Sequence, residues 1–423
     1  MKVIKIKPQK GKIVNKKTLL ATVDISQTKH MGYARCPNGK ELTPFKFFNN
    51  GWGFNKFWER IMQFMKANDL SEIVVGIEST GSYGEPFIHY LNKRDVKIVQ
   101  VNPVHTKRLK ELNGNSPQKT DEKDPKVIAD IIQLGHCLTV IIPEGEAAEL
   151  RRLTQARERS MQRRTALFNQ LHSLIAIIFP EFLKVMKNVK TKTNQYLLKQ
   201  YPTPLDIVKC GHDSLILILK KVSRGKLGKD RADKLFKFAM GSVGVTEGST
   251  SIVHEIRAIL TQIEGENNFI DELEKEMVLN LEKISYSHNI LSLKGIGTIT
   301  AAGIIGEVAD FKKFRTISEI EKLAGLDLYE ISSGKHKGQR RISKRGRSLL
   351  RKLLFFAAIN MVRSKGIMHE RYQKMVERNM LRKKALVAIS RDILALIFAL
   401  VRDNSFYIKN YNQIHTLKNK IAA

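Results

Sequence analysis

Two short apolar runs, each closed by a carboxylate, constrain the fold more than any other feature of this chain. Leu19-Leu20-Ala21-Thr22-Val23 ends at Asp24, and Ile73-Val74-Val75-Gly76-Ile77 ends at Glu78. Neither run alternates with polar residues, and each is too short for an ordinary helix. Such runs read as strands buried on both faces, which need a sheet covered by helices. The rest of the N-terminal part supplies those helices. Residues 30–36 and 41–48 read as antiparallel strands turning at Pro37-Asn38-Gly39. Phe54, Phe57, Trp58, Ile61, Met62 and Met65 have helical spacing. After strand 73–78 come a helix over 86–92, a strand over 96–101 and a helix from Pro103. A last helix over 126–134 stops at Gly135.

This order is compatible with a ribonuclease-H-like sheet in which Asp24 and Glu78 come from neighbouring strands. Asp121 and Asp124 stand three residues apart just before the last helix of this region. Together the four acids form an oxygen-only set able to hold two Mg²⁺ ions, which would stabilise the attacking and leaving oxygens of a phosphodiester. The charge balance points the same way. Lys plus Arg is 73 against 41 acids, a net +32, and a surplus of that size implies a polyanionic partner. With 42% hydrophobic residues the chain builds real cores, so a disordered basic tail is excluded.

At 423 residues two or three domains are expected, and we divide the chain into residues 1–145, 146–288 and 289–423. Cys36, Cys137 and Cys210 are odd in number and far apart, giving neither a disulfide framework nor a zinc pattern. That suits a reducing cytoplasm. The apolar stretch Ile393 to Val401 is too short to span a bilayer, and the alternating charges of residues 1–7 are no signal peptide. No membrane partner is expected.

Residues 146–180 predict one long helix carrying Arg151, Arg152, Arg157, Arg159, Arg163 and Arg164, mostly off its apolar stripe. Glutamate is scarce after Glu158, so pairing along the helix leaves these arginines for a nucleic-acid backbone. Residues 185–250 carry no motif. From 252 onward Ile252, Ile256, Ile259, Ile263, Ile270, Leu273, Met277 and Ile284 form a heptad seam broken by Glu266 and Asn280. The seam predicts a hairpin with the earlier helix, a dimer seam, or both.

The last third reads as helical and basic. Gly295 and Gly297 precede a helix over 299–308, a pattern whose amides can hold a DNA phosphate. A loop over 331–346 follows, with Ser332-Ser333-Gly334 and then Arg340, Arg341, Lys344 and Arg345. Arg347, Arg351 and Lys352 continue that cluster into the next helix, and no acid offsets it over residues 331–369. It predicts a clamp on the nucleic-acid backbone. Helices over 348–364, 371–378 and 385–401 close the chain.

In order and spacing these segments resemble the DEDD-motif insertion-sequence transposases, relatives of the Piv DNA invertases that are described as bridge-RNA-guided recombinases. The resemblance runs through Val23-Asp24-Ile25-Ser26, Gly76-Ile77-Glu78-Ser79-Thr80-Gly81 and Lys119-Thr120-Asp121-Glu122-Lys123-Asp124. It resumes at Leu293-Lys294-Gly295-Ile296-Gly297, Ala324-Gly325-Leu326, Ser333-Gly334 and Gly338-Gln339-Arg340-Arg341-Ile342-Ser343-Lys344-Arg345-Gly346. It implies a multidomain α/β plus α chain: a RuvC-like N-terminal domain, a coiled-coil linker and a helical C-terminal transposase domain. It further implies that Asp24, Glu78, Asp121 and Asp124 bind Mg²⁺, and that a serine forms a transient phosphoserine link to DNA. That serine maps to Ser333, with Ser332 its neighbouring candidate. A guide RNA and a homodimer or homotetramer are the implied partners besides DNA.

Two positions depart from the family pattern. Pro125 stands where alanine is usual, which predicts Asp124 as a helix N-cap with Pro125 at the first helical position. Asp327 follows Ala324-Gly325-Leu326 where a small or polar residue is expected, and the sequence assigns it no role. Ser333 lies far along the chain from the nearest acid, so the implied site must be assembled between domains or between subunits. The rival reading is a RuvC-like nuclease acting on branched DNA, with the same acids and water as nucleophile. A non-catalytic nucleic-acid-binding protein and an RNA-processing enzyme are further alternatives.

Overall fold

A computed structural model of the chain describes residues 14–78, 81–94, 96–113, 123–330 and 338–408. They fall into two compact units, Met1–Ile141 and Ile142–Ala423.

In the first unit, β1 (Thr18–Asp24), β2 (Lys29–Arg35) and β3 (Glu41–Phe48) make an antiparallel meander, and α1 (Gly51–Ala67) leads to β4 (Glu72–Glu78). Then come α2 (Glu85–Asn92), β5 (Lys97–Val101), α3 (Pro103–Asn113), α4 (Asp124–Gln133) and the two-residue β6 (Leu138–Thr139). The sheet order is β3-β2-β1-β4-β5-β6, with β1, β4 and β5 mutually parallel. An antiparallel meander whose first strand pairs with a later parallel strand is the arrangement of ribonuclease-H-like sheets. β1 is buried along almost its whole length, as its unbroken apolar run requires. The β2–β3 turn is made by Gly39 at φ +88°, a left-handed conformation that glycine adopts without strain.

The two sheet faces have different partners. On one, Phe45 and Phe47 of β3 meet Phe54 and Phe57 of α1 and Phe87 of α2, with the Phe57 and Phe87 rings 5.1 Å apart. On the other, Val127, Ile128, Ile131 and Ile132 of α4 pack with Leu20, Val74, Val99 and Val101. Gly76 lets α4 approach, because a Cβ there would overlap the Ile132 Cδ1 methyl.

The second unit is helical. α5 (Gly145–Ile178) and α11 (Ser249–Glu282) are each 34 residues, about 51 Å long. Arg157 pairs with Glu274, Arg164 with Asn267 and Gln170 with Glu255, so the two helices run antiparallel. The heptad seam therefore closes within the chain, with Ile256, Ile259, Ile263, Ile270, Leu273 and Met277 buried. Between them the chain makes α6 (Phe182–Val185), α7 (Lys192–Gln200), α8 (Pro204–Cys210), α9 (His212–Val222) and α10 (Lys229–Met240). These five short helices share one core with the hairpin, through Phe179, Phe182, Leu198, Ile207, Leu219 and Leu235. The segment without sequence motifs is thus folded.

Beyond α11 come α12 (Ser287–Leu291), α13 (Thr298–Val308), a short 3-10 turn at Phe311–Lys313, α14 (Ile317–Ala324), and the two-stranded pair β7 (Leu328–Tyr329) and β8 (Arg341–Ile342). Helices α15 (Ser348–Met361), α16 (His369–Glu377) and α17 (Arg382–Arg402) end the described chain. α13 lies against α5 at Gly306, where a Cβ would stand 2.6 Å from the Arg151 backbone nitrogen.

Candidate active site

Side chains alternate along a strand, so the face of each acid follows from its neighbours. Leu20 packs against α4, and the Thr22 hydroxyl donates to the Pro125 carbonyl at 2.6 Å. Asp24, two residues on, therefore leaves β1 on the α4 face. Val74 and Gly76 place Glu78 on that same face of β4. In the parallel register Val23 lies opposite Ile77, which sets Asp24 and Glu78 side by side at the strand ends. Two acids 54 positions apart in sequence become neighbours by register alone.

Asp124 is the first residue of α4, and the helix N-cap is Lys123, in right-handed helical geometry. This corrects the expectation that Asp124 caps the helix with Pro125 first. Proline biases its predecessor away from helical geometry without forbidding it, and here Pro125 occupies the second position. An acid in a helix's first turn is favoured by the unpaired amide ends. Asp121 lies outside the described residues.

Helix α3 answers both acids. Lys110 Nζ is 2.7 Å from Asp124 Oδ1, and one turn earlier the buried Thr106, whose hydroxyl donates to the Pro103 carbonyl at 2.8 Å, acts on Glu78. Burial pushes the Glu78 carboxyl up, the Thr106 hydroxyl and the Lys110 charge pull it down, and the Asp124 charge pushes it up again. Among the described residues no three acids, imidazoles or thiols gather into a metal-holding set. The donor chemistry of Asp24, Glu78 and Asp124, oxygen only and anionic, nevertheless fits a hard divalent cation.

A polar network holds α4 from the far side. Arg35 of β2 donates to Asp130 of α4 at 2.7 Å, to the Tyr33 hydroxyl at 2.8 Å and to Glu41 at 3.0 Å. Lys126 of α4 donates to the same Glu41 at 2.8 Å and holds that carboxyl down at about 2, with further help from the Tyr33 hydroxyl. Sequence reasoning passed over Thr22, Arg35, Thr106 and Lys110, because their contacts exist only once strand and helix have met.

In the second unit, Ser332, Ser333 and Gly334 lie outside the described residues, but the stem that carries them is described. β7 and β8 pair through Leu328 with Ile342 and Tyr329 with Arg341. Asp327 closes the base of this stem. Its carbonyl accepts from the Ser343 amide at 2.9 Å and its carboxylate from the Ser343 hydroxyl. The residue left without a role by sequence thus ties the two ends of the serine loop.

The basic residues divide. Arg163 donates to Glu266 at 2.6 Å, and Glu266 also accepts from Ser160, so the polar break in the seam is an interhelical ion pair. Arg164 donates to Asn267 at 2.6 Å. Glu266 and Asn267, which answer these arginines, come from α11, not from their own helix as pairing along α5 would require. Arg340 donates to Glu330 at 3.0 Å, Arg351 to the Ala324 carbonyl at 2.8 Å, and Lys352 to Glu158 at 2.6 Å. Arg347 is half-buried and donates to the Glu307 carbonyl; burial and the nearby Arg151 push its guanidinium down to about 10. Arg152, Arg341, Lys344 and Arg345 stand exposed. Of the two glycines before α13, Gly295 has φ +113° and faces Met361, whereas a Cβ on Gly297 would meet nothing within 4 Å.

Comparison with known proteins places this arrangement. A family model described as "Transposase", for DEDD insertion-sequence enzymes of the IS110 type, matches residues 21–180. A second, "Transposase IS116/IS110/IS902 family", matches residues 287–373. The two matches together take in more than half of the chain, including every candidate acid and the serine loop. The 43.6 kDa protein of insertion element IS110 from Streptomyces coelicolor is 22% identical over 91% of this chain and 94% of its own length. The transposase for insertion sequence element IS1111A from Coxiella burnetii is 22% identical over 84% and 86%. Among the described residues no helix is long and apolar enough to cross a membrane. The chain belongs to the DEDD insertion-sequence transposases, enzymes that recombine DNA.

Proposed function

We propose that this transposase moves its element by a metal-dependent reaction in which Asp24, Glu78, Asp121 and Asp124 hold Mg²⁺ and Ser333 attacks DNA. The observation that carries the metal assignment is the convergence of Asp24 and Glu78 on the α4 face, with Asp124 at the start of α4. Bound there, two Mg²⁺ ions would supply Lewis-acid stabilisation of the charge that develops on the phosphate oxygens. In the serine step the Ser333 Oγ–phosphorus bond forms as a phosphorus–oxygen bond to the sugar breaks. The serine proton is lost to a nearby base, and the departing sugar oxygen takes up a proton. Reversal of the step onto a new sugar hydroxyl rejoins the strand without hydrolysis.

The β7–β8 stem, closed by Asp327 and Ser343, holds the ends of the serine loop. Exposed Arg341, Lys344 and Arg345 beside it contact the phosphate backbone. Target choice by pairing with a guide RNA is consistent with a +32 chain and with its family. A homodimer or homotetramer answers the need to cut and rejoin several strands.

The test is amplification of the excised circular junction in cells carrying the whole element, with wild type, Asp24→Ala, Ser332→Ala and Ser333→Ala side by side. Loss of the junction in Asp24→Ala and Ser333→Ala, but not in Ser332→Ala, is the expected result. Junctions from Ser333→Ala would overturn the serine step and favour a nuclease that uses water.

A further inference from the structure

Helix α3 brings two different groups to the two acids. Thr106 and Lys110 are four residues apart and share a face. The first acts on Glu78, drawing its carboxyl down, and the second places an ammonium 2.7 Å from Asp124. Lys110 is about one-third exposed and Asp124 largely covered, so the lysine reaches in from the rim of the site. Glu78 feels both charges, the repulsion of Asp124 and the attraction of Lys110. Two carboxylates within range of each other need a counter-ion, and here a side chain supplies it.

An ammonium and a divalent cation ask different things of the same oxygen. Mg²⁺ requires the carboxylate at about 2.0–2.1 Å in near-octahedral geometry, and a lysine bonded to Asp124 Oδ1 stands in that space.

We propose that Lys110 is a built-in stand-in cation, which pairs with Asp124 and offsets part of the charge that faces Glu78 in the metal-free chain, and must leave Asp124 before a divalent ion binds. This rests on the reading of the acids as metal ligands. Lys110 thereby lowers the affinity of the site and keeps Asp124 in place until metal arrives. A neutral side chain of similar length removes the competitor and leaves the acids intact.

The test is a titration of the full-length protein with Mn²⁺, free ion being read by electron paramagnetic resonance. Wild type, Lys110→Met, Lys110→Gln, Lys110→Arg and Asp24→Ala are compared. Removal of a partly exposed ion pair predicts Mn²⁺ binding about threefold to fivefold tighter in Lys110→Met and Lys110→Gln. Lys110→Arg, which keeps the charge, should stay near wild type. Unchanged or weaker binding in both neutral variants overturns the stand-in role while leaving the metal site standing. Wild-type binding that Asp24→Ala does not reduce overturns the metal reading itself, and this proposal with it.

Discussion

The sharpest test of how Asp124 is held is Thr22→Val. The Thr22 hydroxyl donates to the Pro125 carbonyl at 2.6 Å, both residues are buried, and Pro125 directly follows Asp124. Valine keeps the volume and the β-branch but removes the hydroxyl's bond to that carbonyl, which retains its bond within α4, at a cost of about 1 kcal/mol. With a urea m-value of about 2 kcal/mol/M, the unfolding midpoint of the first unit should fall by about 0.5 M. The chain reports this unit selectively, because its only two tryptophans, Trp52 and Trp58, both lie in α1. Tryptophan fluorescence therefore follows the first unit alone. Thr22→Ser keeps the hydroxyl and loses a methyl group, so it should destabilise by packing yet retain more junction formation than Thr22→Val. A Thr22→Val protein with the wild-type midpoint and wild-type junction yield would show that the bond does not fix the start of α4.

Other consequences follow from the same contacts. The Glu41 carboxyl is held at about 2 in the fold, below its ordinary value near 4.5, by Lys126 and Tyr33. A depressed acid stabilises the fold above the unfolded value, and that contribution is lost as pH falls from about 4.5 toward 2. The tryptophan-reported urea midpoint should therefore drop over that window in wild type and less steeply in Glu41→Gln. Asp327→Ala should open the stem of the serine loop and lower junction yield while leaving the first unit's urea midpoint unchanged, since Asp327 lies in the other unit. In DNA-binding titrations against salt, replacing both Arg341 and Lys344 by alanine should reduce the slope of log K by about 2. Arg163→Ala should leave it unaltered, because Glu266 already takes that guanidinium; an equal loss of slope would return Arg163 to the DNA contact surface.

The parts of the fold visible in the sequence were those with a long or uniform signal. β1 and β4 show as unbroken apolar runs because they are buried on both faces, and α5 and α11 because 34 residues repeat one period many times. The seam of α11 was legible residue by residue, but a heptad does not name its partner, and the choice of α5 rests on pairs such as Arg157 with Glu274. Residues 185–250 stayed silent for a physical reason. α6 has two buried anchors and α8 only Ile207, too few to establish a period against a polar background. Local rules erred by one residue at Asp124, where the bias that proline imposes on its predecessor was overridden by the packing of α4 on the sheet.

The site divides its work between two kinds of order. Register fixes Asp24 and Glu78: with Val23 opposite Ile77, neither acid can move along its strand without turning the apolar faces of β1 or β4 over. No register fixes Asp124. Its place depends on α4 lying flat on the sheet, which Gly76 permits, Thr22 clamps at the helix start and Arg35 anchors through Asp130. The two strand acids are thus rigid, and the helix acid is adjustable by the contacts of one helix. An acid that can adjust is the one a competing lysine can hold, and Lys110 pairs with Asp124. If these acids hold metal as proposed, its affinity would be set as much by α3 and the seating of α4 as by the carboxylates, and substitutions at Thr22, Gly76 or Lys110 would alter metal binding without touching a proposed ligand.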